Sequence, residues 1–206
     1  MDHDVNLLQS TTITYAIDVS SANKEKRTGV ENYAFHLIET MKHEPLLEGE
    51  RVVLFSSSIL QGSLALLPTG WESQVLYWSL PSGWMQGRVS WELLRRRPNV
   101  LFVPAQGIPR FFFGTPVVTT IHDIAFRRIR NLYDPAVRRR IARVTKRSIK
   151  HASHLLIVSA FTRRELSSVY DVRDEKMTVT PLAIDTMVYR RLDNETIESA
   201  LRAHRL

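Results

Sequence analysis

A histidine and an aspartate stand side by side in the segment VVTTIHDIAF, as His122 and Asp123. They directly follow an apolar run, Val117–Ile121, whose Val and Thr residues are typical of a buried strand. A histidine titrates near neutral pH and can donate or accept a hydrogen bond, which suits contact with substrate hydroxyls or with a developing charge. The pair is our candidate for catalysis, and capping of the next segment is the structural alternative.

A second candidate site is a polar loop that a glycine closes. Asp18 ends the first apolar run, and SSANKEKRTG then leads to Gly29, where a helical pattern begins at once. Glycine lets a backbone approach a ligand closely, and a helix N-terminus attracts anions. Gly29 and Val30 are therefore candidates for binding a phosphate group, while a turn glycine without a ligand is the alternative. The loop is not a GxGxxG fingerprint, so a nicotinamide-dependent enzyme loses its main support.

The third candidate is Ser159, at the end of a further apolar run, in SAFTRREL. Ser159 or Thr162 is expected to cap the next helix, and Glu165 stands three residues after Thr162, as in a capping box. A position at a strand tip also allows Ser159 to face a substrate. A metal site is not expected near His122, and the chain of 206 residues has no cysteine to form one.

Apolar runs separated by helical patterns would position these residues. The expected strands are Ile13–Ile17, Val52–Ser56, Gln74–Trp78, Val100–Val103, Val117–Ile121, Leu155–Val158 and Met177–Thr180. Several runs are apolar on both faces, as buried parallel strands are. Because ligands bind at the carboxyl ends of such strands, all three candidates lie on the same edge. We expect an α/β fold, a Rossmann-like open parallel sheet of about seven strands with helices on both faces.

Helical patterns fill the intervals between the strands. Apolar residues recur at spacings of three and four in the segment Val30–Met41, which predicts an amphipathic helix. Further helices are expected at Arg88–Arg97, Ala136–Lys150, Thr162–Tyr170 and Asn194–His204, and a loop at Leu80–Gly87.

Positive charge is concentrated in one part of the chain. The net charge is +7, and ten basic residues but only one acid, Asp134, lie between Arg127 and Lys150. Within the expected helix Ala136–Lys150, one face is expected to pack on the sheet: Val137, Ile141, Val144 and Ser148. The opposite face, expected in solvent, consists of Arg139, Arg143, Lys146 and Lys150. This face either keeps the protein soluble or docks on an anionic membrane, where deep insertion is not expected because it lacks Trp, Phe and Leu.

Composition and termini favour a cytoplasmic protein. Hydrophobic residues make up 44% of the chain, which is ordinary for a globular domain. The N-terminal segment MDHDVNLLQS has no long apolar core and is not expected to be a secretory signal. No apolar run approaches the ~20 residues that span a bilayer. We expect a cytoplasmic location, in which the basic face of the helix could also make a peripheral contact with the membrane.

The ordered segments resemble the N-terminal domain of family-4 glycosyltransferases, a retaining family with the two-domain GT-B fold. The matching segments are YAIDVSSANKEKRTGVENYAFHLIETM, NVLFVPAQGIP, PVVTTIHDIAF, HASHLLIVSAFTRREL and DEKMTVTPLAID. The resemblance runs from about Thr12 to Asp185. It implies that residues 1–190 form an acceptor-side Rossmann-like domain and that residues 191–206 are a linker or the start of a donor-binding domain.

The same resemblance implies roles for single residues. Gly29, with Val30, would approach the donor diphosphate. His122, followed by Asp123, would lie beside the transferred sugar. Residues near the acceptor cleft would be Asp18, Asn23, Glu31 and Tyr33, and Ser159 joins them as an acceptor-binding candidate because of its position at a strand tip. The segment Pro181–Asp185 reads PLAID, where the family usually has Pro-Asn-Gly-Val-Asp, so contacts specific to that Asn or Gly do not carry over.

The implied reaction moves a sugar from a nucleoside-diphosphate sugar to a hydroxyl of a carbohydrate or lipid-linked acceptor, with retention, in polysaccharide or glycolipid biosynthesis. No cofactor and no metal ion are expected. One alternative is a basic α/β module that binds nucleic acid, against which stands the lack of a known nucleic-acid-binding motif. The other is a different GT-B enzyme, such as a sugar-nucleotide epimerase.

Overall fold

A single parallel sheet organises the chain in the computed structural model, which describes residues 12–184 and 189–204. The expectations about the N-terminal segment and Asp185 fall outside these residues. In chain order the strands are β1 (Ile13–Asp18), β2 (Glu50–Ser56), β3 (Trp71–Val75), β4 (Val100–Val103), β5 (Val117–Ile121), β6 (His154–Ile157) and β7 (Met177–Val179). The sheet has seven strands in the order β3-β2-β1-β4-β5-β6-β7, all parallel. The expected fold class is confirmed.

Six α-helices connect or follow the strands within the described residues: α1 (Gly29–Met41), α2 (Ser90–Arg96), α3 (Ala125–Arg128), α4 (Pro135–His151), α5 (Ala160–Tyr170) and α6 (Asn194–Ala203). A π-helical turn, Met85–Val89, leads directly into α2. It covers the end of the segment expected to be a loop. Short 3-10 turns lie at Gly62–Ala65, Arg130–Leu132 and Asp174–Lys176.

The strand order creates a switch point between β1 and β4. The chain builds β1, β2 and β3 outward in one direction, then returns to pair β4 with β1 and continues to β7 in the other direction. At such a point, the connections after the two neighbouring strands leave in opposite directions, and a crevice opens at the carboxyl edge of the sheet.

Helices cover both faces of the sheet. On one face, Ala34 and Ile38 of α1 pack with Ile17 and Leu54 of the sheet. On the other face, Leu93 of α2 lies in a cluster with Phe55 and Leu101, among others. Helices α4 and α5 pack against β5 and β6 through a third cluster that includes Ile121, Ile149, Leu155 and Leu166.

The prediction for the third strand was wrong by three residues. The strand pairs Trp71 with Val52 and Val75 with Ser56, so it begins before the expected start at Gln74. β3 is an edge strand with one neighbour, and its middle residues are exposed polar ones, which hide it from an apolar-run pattern. The apolar residues that follow pack differently: Leu76 is buried and Tyr77 is exposed.

The expected core face of the basic helix was also partly wrong. Val137 is 49% exposed, and the buried residues of α4 are Thr145, Ser148 and Ile149. The N-terminal turn of the helix therefore does not pack on the sheet, whereas Ile141, farther along, is partly buried against the third core cluster. Thr145 can be buried there because its hydroxyl donates to the Ile141 carbonyl at 2.9 Å. The expected basic face is exposed as predicted.

Candidate functional site

His122 lies at the carboxyl end of β5, and a neighbouring strand fixes its ring. Nε2 is 3.1 Å from the carbonyl oxygen of Pro104, the residue directly after β4. A carbonyl only accepts, so Nε2 carries the proton and donates it. Burial lowers the pKa of His122 below its usual value, against the raising effects of the Pro104 carbonyl and of Asp123. The ring is therefore neutral near pH 7, with Nδ1 as an acceptor.

Tyr33 brings the first helix to this histidine. The two rings meet edge to face, with centroids 4.8 Å apart and an interplanar angle of 87°. The Tyr33 hydroxyl also lies 3.3 Å from Oγ1 of Thr120 on β5. Gly29 precedes Tyr33 by four residues, about one turn, so both lie on the same side of α1. The first turn of α1 and the tip of β5 therefore border the same crevice.

The start of α1 leaves backbone donors free. The first intrahelical bond runs from Asn32 N to Thr28 O at 2.8 Å, so the amides of Gly29 and Val30 have no acceptor within the helix. A Cβ on Gly29 would meet no heavy atom of the described chain within 4 Å, and its φ is not left-handed. Neither backbone strain nor internal packing therefore explains a glycine at this position.

Glu31 holds the entry to α1 in place. One oxygen accepts from the Thr28 amide at 2.7 Å, and the other pairs with Lys24. The Lys24 ammonium, followed by the Thr28 amide, lowers the pKa of Glu31 to about 2. The carboxylate stays ionised at any physiological pH, and Lys24 balances its charge beside the helix N-terminus.

Asp18 and Asn23 lie in the loop between β1 and α1. Asp18 is 3% exposed and accepts from the Ser20 amide at 2.9 Å, and burial raises the pKa of its carboxyl group. The Asn23 amide donates to Ile59 O at 2.9 Å and accepts from Gln61 N at 2.9 Å. Asn23 thus holds this loop against the segment after β2, whereas Asp18 makes fewer hydrogen bonds than Asn23.

Asp123 and Ser159 both organise the backbone around His122. Asp123 accepts from the Ala125 amide at 2.8 Å and starts α3. Ser159 caps α5, as expected, by accepting from the Thr162 amide at 3.0 Å. The Thr162 hydroxyl lies 3.4 Å from the His122 carbonyl oxygen, which it reaches as a donor. The expected capping box with Glu165 was wrong, because Glu165 makes a two-pronged ion pair with Arg128.

Sequence reasoning missed the segment after β4. Pro104 fixes the His122 ring, and Gln106 donates to the Asp123 carbonyl at 3.3 Å. Two hydroxyl oxygens, those of Ser21 and Thr180, are buried without a hydrogen-bond partner in the described chain. Ser21 lies in the β1–α1 loop and Thr180 directly follows β7. Pro104, Gln106 and Thr180 follow the ends of β4 and β7, and that position at the carboxyl edge of a parallel sheet is the signal that could have identified them.

Residues 12–184 and 189–204 contain neither a candidate metal-binding cluster nor a candidate membrane-spanning helix. No cluster of three or more His, Cys, Asp or Glu side chains in these residues could hold a metal ion. No helix in them combines the length and apolar character needed to cross a membrane.

Comparison with solved structures confirms the fold. HepE of Anabaena, solved in complex with UDP-glucose, is 13% identical with a TM-score of 0.55, over 93% of this chain and 49% of HepE. WaaG, a glycosyltransferase involved in lipopolysaccharide biosynthesis, is 12% identical with a TM-score of 0.61, over 92% of this chain and 51% of WaaG. The chain thus spans about half the length of either protein.

Sequence families give the classification. No curated protein matches the chain closely enough to count as a relative. The family model described as Glycosyltransferase Family 4 matches residues 27–188, well over half of the chain. This range contains Gly29, Tyr33, His122 and Ser159, so most residues of the candidate site fall within it. The resemblance seen in the ordered motifs is therefore confirmed, and the chain belongs to Glycosyltransferase Family 4.

Proposed function

We propose that the chain forms the acceptor-side domain of a retaining glycosyltransferase. It would help to move a sugar from a nucleoside-diphosphate sugar to a hydroxyl of a carbohydrate or lipid-linked acceptor, in polysaccharide or glycolipid biosynthesis in the cytoplasm. The family match supports sugar transfer over nucleic-acid binding and epimerisation. The UDP-glucose bound to HepE and the role of WaaG in lipopolysaccharide biosynthesis agree with this proposal.

The neutral His122 carries the proposal. Its Nε2–H is committed to the Pro104 carbonyl, and Tyr33 packs against one edge of its ring. Nδ1 has no hydrogen bond to any described residue, so its lone pair is available to accept from a sugar hydroxyl. A ring locked in one tautomer can orient a substrate without reorganising during the reaction. Asp123 would act by shaping the turn that follows and by its charge beside the ring.

The donor diphosphate would meet the start of α1. Free amides at Gly29 and Val30 and the positive end of the helix dipole suit a phosphate oxygen. The missing side chain of Gly29 leaves the space for that approach. The remaining donor contacts would come from a second domain beyond residues 1–190. In agreement with such a boundary, α6 contributes no buried residue to the core described above.

The acceptor would lie along the other side of the crevice. Asp18 and Tyr33 are the residues we expect to face it, since the Asp18 carboxyl accepts only the Ser20 hydrogen bond within the described chain and Tyr33 borders His122. Ser159 follows the end of β6 and is linked to the His122 carbonyl oxygen by way of the Thr162 hydroxyl, so it would also border the acceptor. Asn23 and Glu31 would contribute by holding the loop that carries Asp18, because their polar atoms are engaged within the protein.

Replacing His122 tests the proposal. In the protein that carries this chain, His122→Ala should lower kcat by roughly 100-fold or more while the thermal unfolding curve remains that of a folded protein. Since the pKa of His122 is lowered, its neutral form persists below the ordinary value. The rate should therefore be constant above pH ~6.5 and fall only in more acidic solution.

The matched control is His36→Ala, which removes an exposed histidine from α1. It should leave the rate unchanged. Steady-state kinetics with radiolabelled nucleotide sugars would measure both variants. A full rate in the His122→Ala protein would overturn the proposed role of His122.

A further inference from the structure

The exposed face of α4 is a cluster of uncompensated cations. Arg139, Arg140, Arg143, Lys146 and Lys150 are all exposed. Among the described residues, none of the five lies within ion-pair distance of a carboxylate. Asp134, the only acid of this segment, is occupied as the helix cap, where it accepts from the Ala136 amide at 2.8 Å. The positive charge of the face is therefore available to an external partner.

A pair of phenylalanines is exposed in the connection between β4 and β5. Phe111 is 54% exposed and Phe113 is 43% exposed, with ring centroids 6.1 Å apart. Between them, Phe112 packs against the core. Phe113 has a φ of 45°, a left-handed conformation that costs a non-glycine residue roughly 1–2 kcal/mol. Two large apolar side chains thus stay about half exposed on a segment that also holds an unfavourable backbone conformation, a combination typical of functional sites.

The connection is bound to the basic helix. Arg147 donates to the carbonyl oxygen of Pro109 at 3.1 Å and also to that of Arg110. Earlier in the same connection, a Cβ added to Gly107 would lie 3.5 Å from the Val144 side chain of α4. The Phe-bearing connection therefore runs beside the edge of α4 that Val144 and Arg147 form.

Exposed residues continue this edge toward the helix N-terminus. Arg140 and Arg143 precede Arg147 by seven and four residues and share its side of the helix. Val137, at 49% exposure, lies one turn before them. Cations and exposed apolar groups thus form one surface, the basic-aromatic surface, which comprises Arg110, Phe111, Phe113, Val137, Arg140 and Arg143.

We propose that the basic-aromatic surface docks on an anionic lipid bilayer. Its cations would lie among the lipid phosphates, and Phe111 and Phe113 would enter the interface beside them. The sequence alone indicated a purely electrostatic contact, because no aromatic residue occurs on the helix face itself. The exposed apolar groups include Val137, which has no ring on which a base could stack, so the surface suits a bilayer better than a nucleic acid.

Docking of this surface would fix the orientation of the crevice relative to the membrane. The same connection begins at Pro104, whose carbonyl holds His122, so the membrane contact and the candidate site lie on one segment. The inference does not depend on sugar transfer, because binding to vesicles is measured without any substrate. Failure of the proposed enzymatic function would leave it standing, and the reverse also holds.

Vesicle sedimentation tests the surface. Probes are vesicles of phosphatidylcholine alone and of phosphatidylcholine with phosphatidylglycerol, each at low and high salt. The protein should bind the anionic vesicles and not the neutral ones. High salt should weaken the binding, because it screens the cations. Equal binding to both kinds of vesicle, or no binding at low salt, would overturn the proposal.

Two double variants separate the charge from the aromatic groups. Arg140→Gln with Arg143→Gln should weaken binding to anionic vesicles about ten-fold or more. Phe111→Ser with Phe113→Gly should also weaken it several-fold and remove the part of the binding that resists salt. Glycine suits the positive φ at position 113, so the second variant should fold at least as well as the parent.

The controls remove matched groups elsewhere. Arg190→Gln with Arg191→Gln takes away two exposed cations, and Tyr77→Ser takes away an exposed aromatic residue. Both controls should bind vesicles like the parent protein. If the surface variants also bind like the parent, the proposal is wrong. It is equally wrong if a short RNA binds more tightly than anionic vesicles and the phenylalanine variant abolishes that binding.

Discussion

Asp18 is a carboxyl group that the fold buries with no basic partner among the described residues. It accepts one backbone hydrogen bond, from Ser20, and burial raises its pKa. A raised pKa means that the folded protein prefers the neutral form of this acid. The contribution of Asp18 to stability is therefore most favourable below pH ~3.8 and is lost as the pH rises through the higher folded-state pKa. Buried groups that destabilise the fold in this way are typical of functional sites.

We therefore predict that Asp18→Asn stabilises the chain at pH 7. Asparagine keeps the oxygen that Ser20 needs and removes the buried charge. The free energy of unfolding should rise by about 1 kcal/mol or more, which raises Tm by roughly 2–4 °C for a chain of this size. The gain should vanish near pH 3.5. If Asp18 faces the acceptor, the variant should also lose transferase activity.

Thermal unfolding followed by circular dichroism, at both pH values, would measure this change. The control is Asp174→Asn, because Asp174 pairs with Arg163 at the surface. Exposed ion pairs contribute little, so this variant should stay within about 0.5 kcal/mol of the parent. A loss of stability in Asp18→Asn would contradict the prediction.

Helix α5 links the stability of an element to the position of the candidate site. Its cap, Ser159, accepts from the Thr162 amide, and its hydroxyl lies 3.0 Å from the Thr162 hydroxyl. Thr162 in turn reaches the carbonyl oxygen of His122. The end of β6 thereby supports the end of β5. Sequence alone indicated the cap, but not its connection to His122.

Ser159→Ala should destabilise the chain by about 1 kcal/mol, because it leaves an amide of the first turn without its acceptor. Chemical denaturation would measure the change, with Ser168→Ala on the same helix as a control. Ser168 is exposed, so its replacement should be nearly neutral. Ser159→Asp should restore stability, since aspartate also caps helices. Restored stability without restored transfer would assign Ser159 a contact with substrate, and restoration of both would leave capping alone.

At the scale of the whole molecule, the switch point between β1 and β4 is where we propose that ligands bind. The first turn of α1 and the tip of β5 meet across it through Tyr33 and His122. Of the proposed donor pocket, the described residues offer one wall, namely the free amides at Gly29 and Val30. The chain also spans about half of HepE and WaaG. Tight donor binding would require a second wall.

We therefore predict that this chain alone binds UDP-glucose weakly, with a dissociation constant of about 1 mM or more. A helix N-terminus without further charged contacts supplies too little energy for tighter binding. Isothermal titration calorimetry would measure the affinity, after circular dichroism has shown that the sample is folded. UDP-glucose and a GDP-sugar should behave alike. Micromolar binding of either would refute the assignment of the donor site to another domain.

The sequence by itself determined the kind and order of the elements. Buried parallel strands and amphipathic helices have patterns that are local in the chain, so most strands were predicted to within a residue or two of their observed bounds. The ordered motifs around Gly29 and His122 likewise indicated the family, and the family match agrees. Strand β3 was predicted three residues too late in the chain, because an edge strand need not be apolar.

The tertiary structure alone decided which groups meet and which remain in solvent. The proton on Nε2 of His122 follows from Pro104, eighteen residues earlier in the chain and directly after a neighbouring strand. Likewise, only the structure shows that Val137, Phe111 and Phe113 are exposed although all three side chains are apolar. Burial and contacts depend on which other segments of the chain pack over a residue, and a local sequence pattern contains no information about those segments.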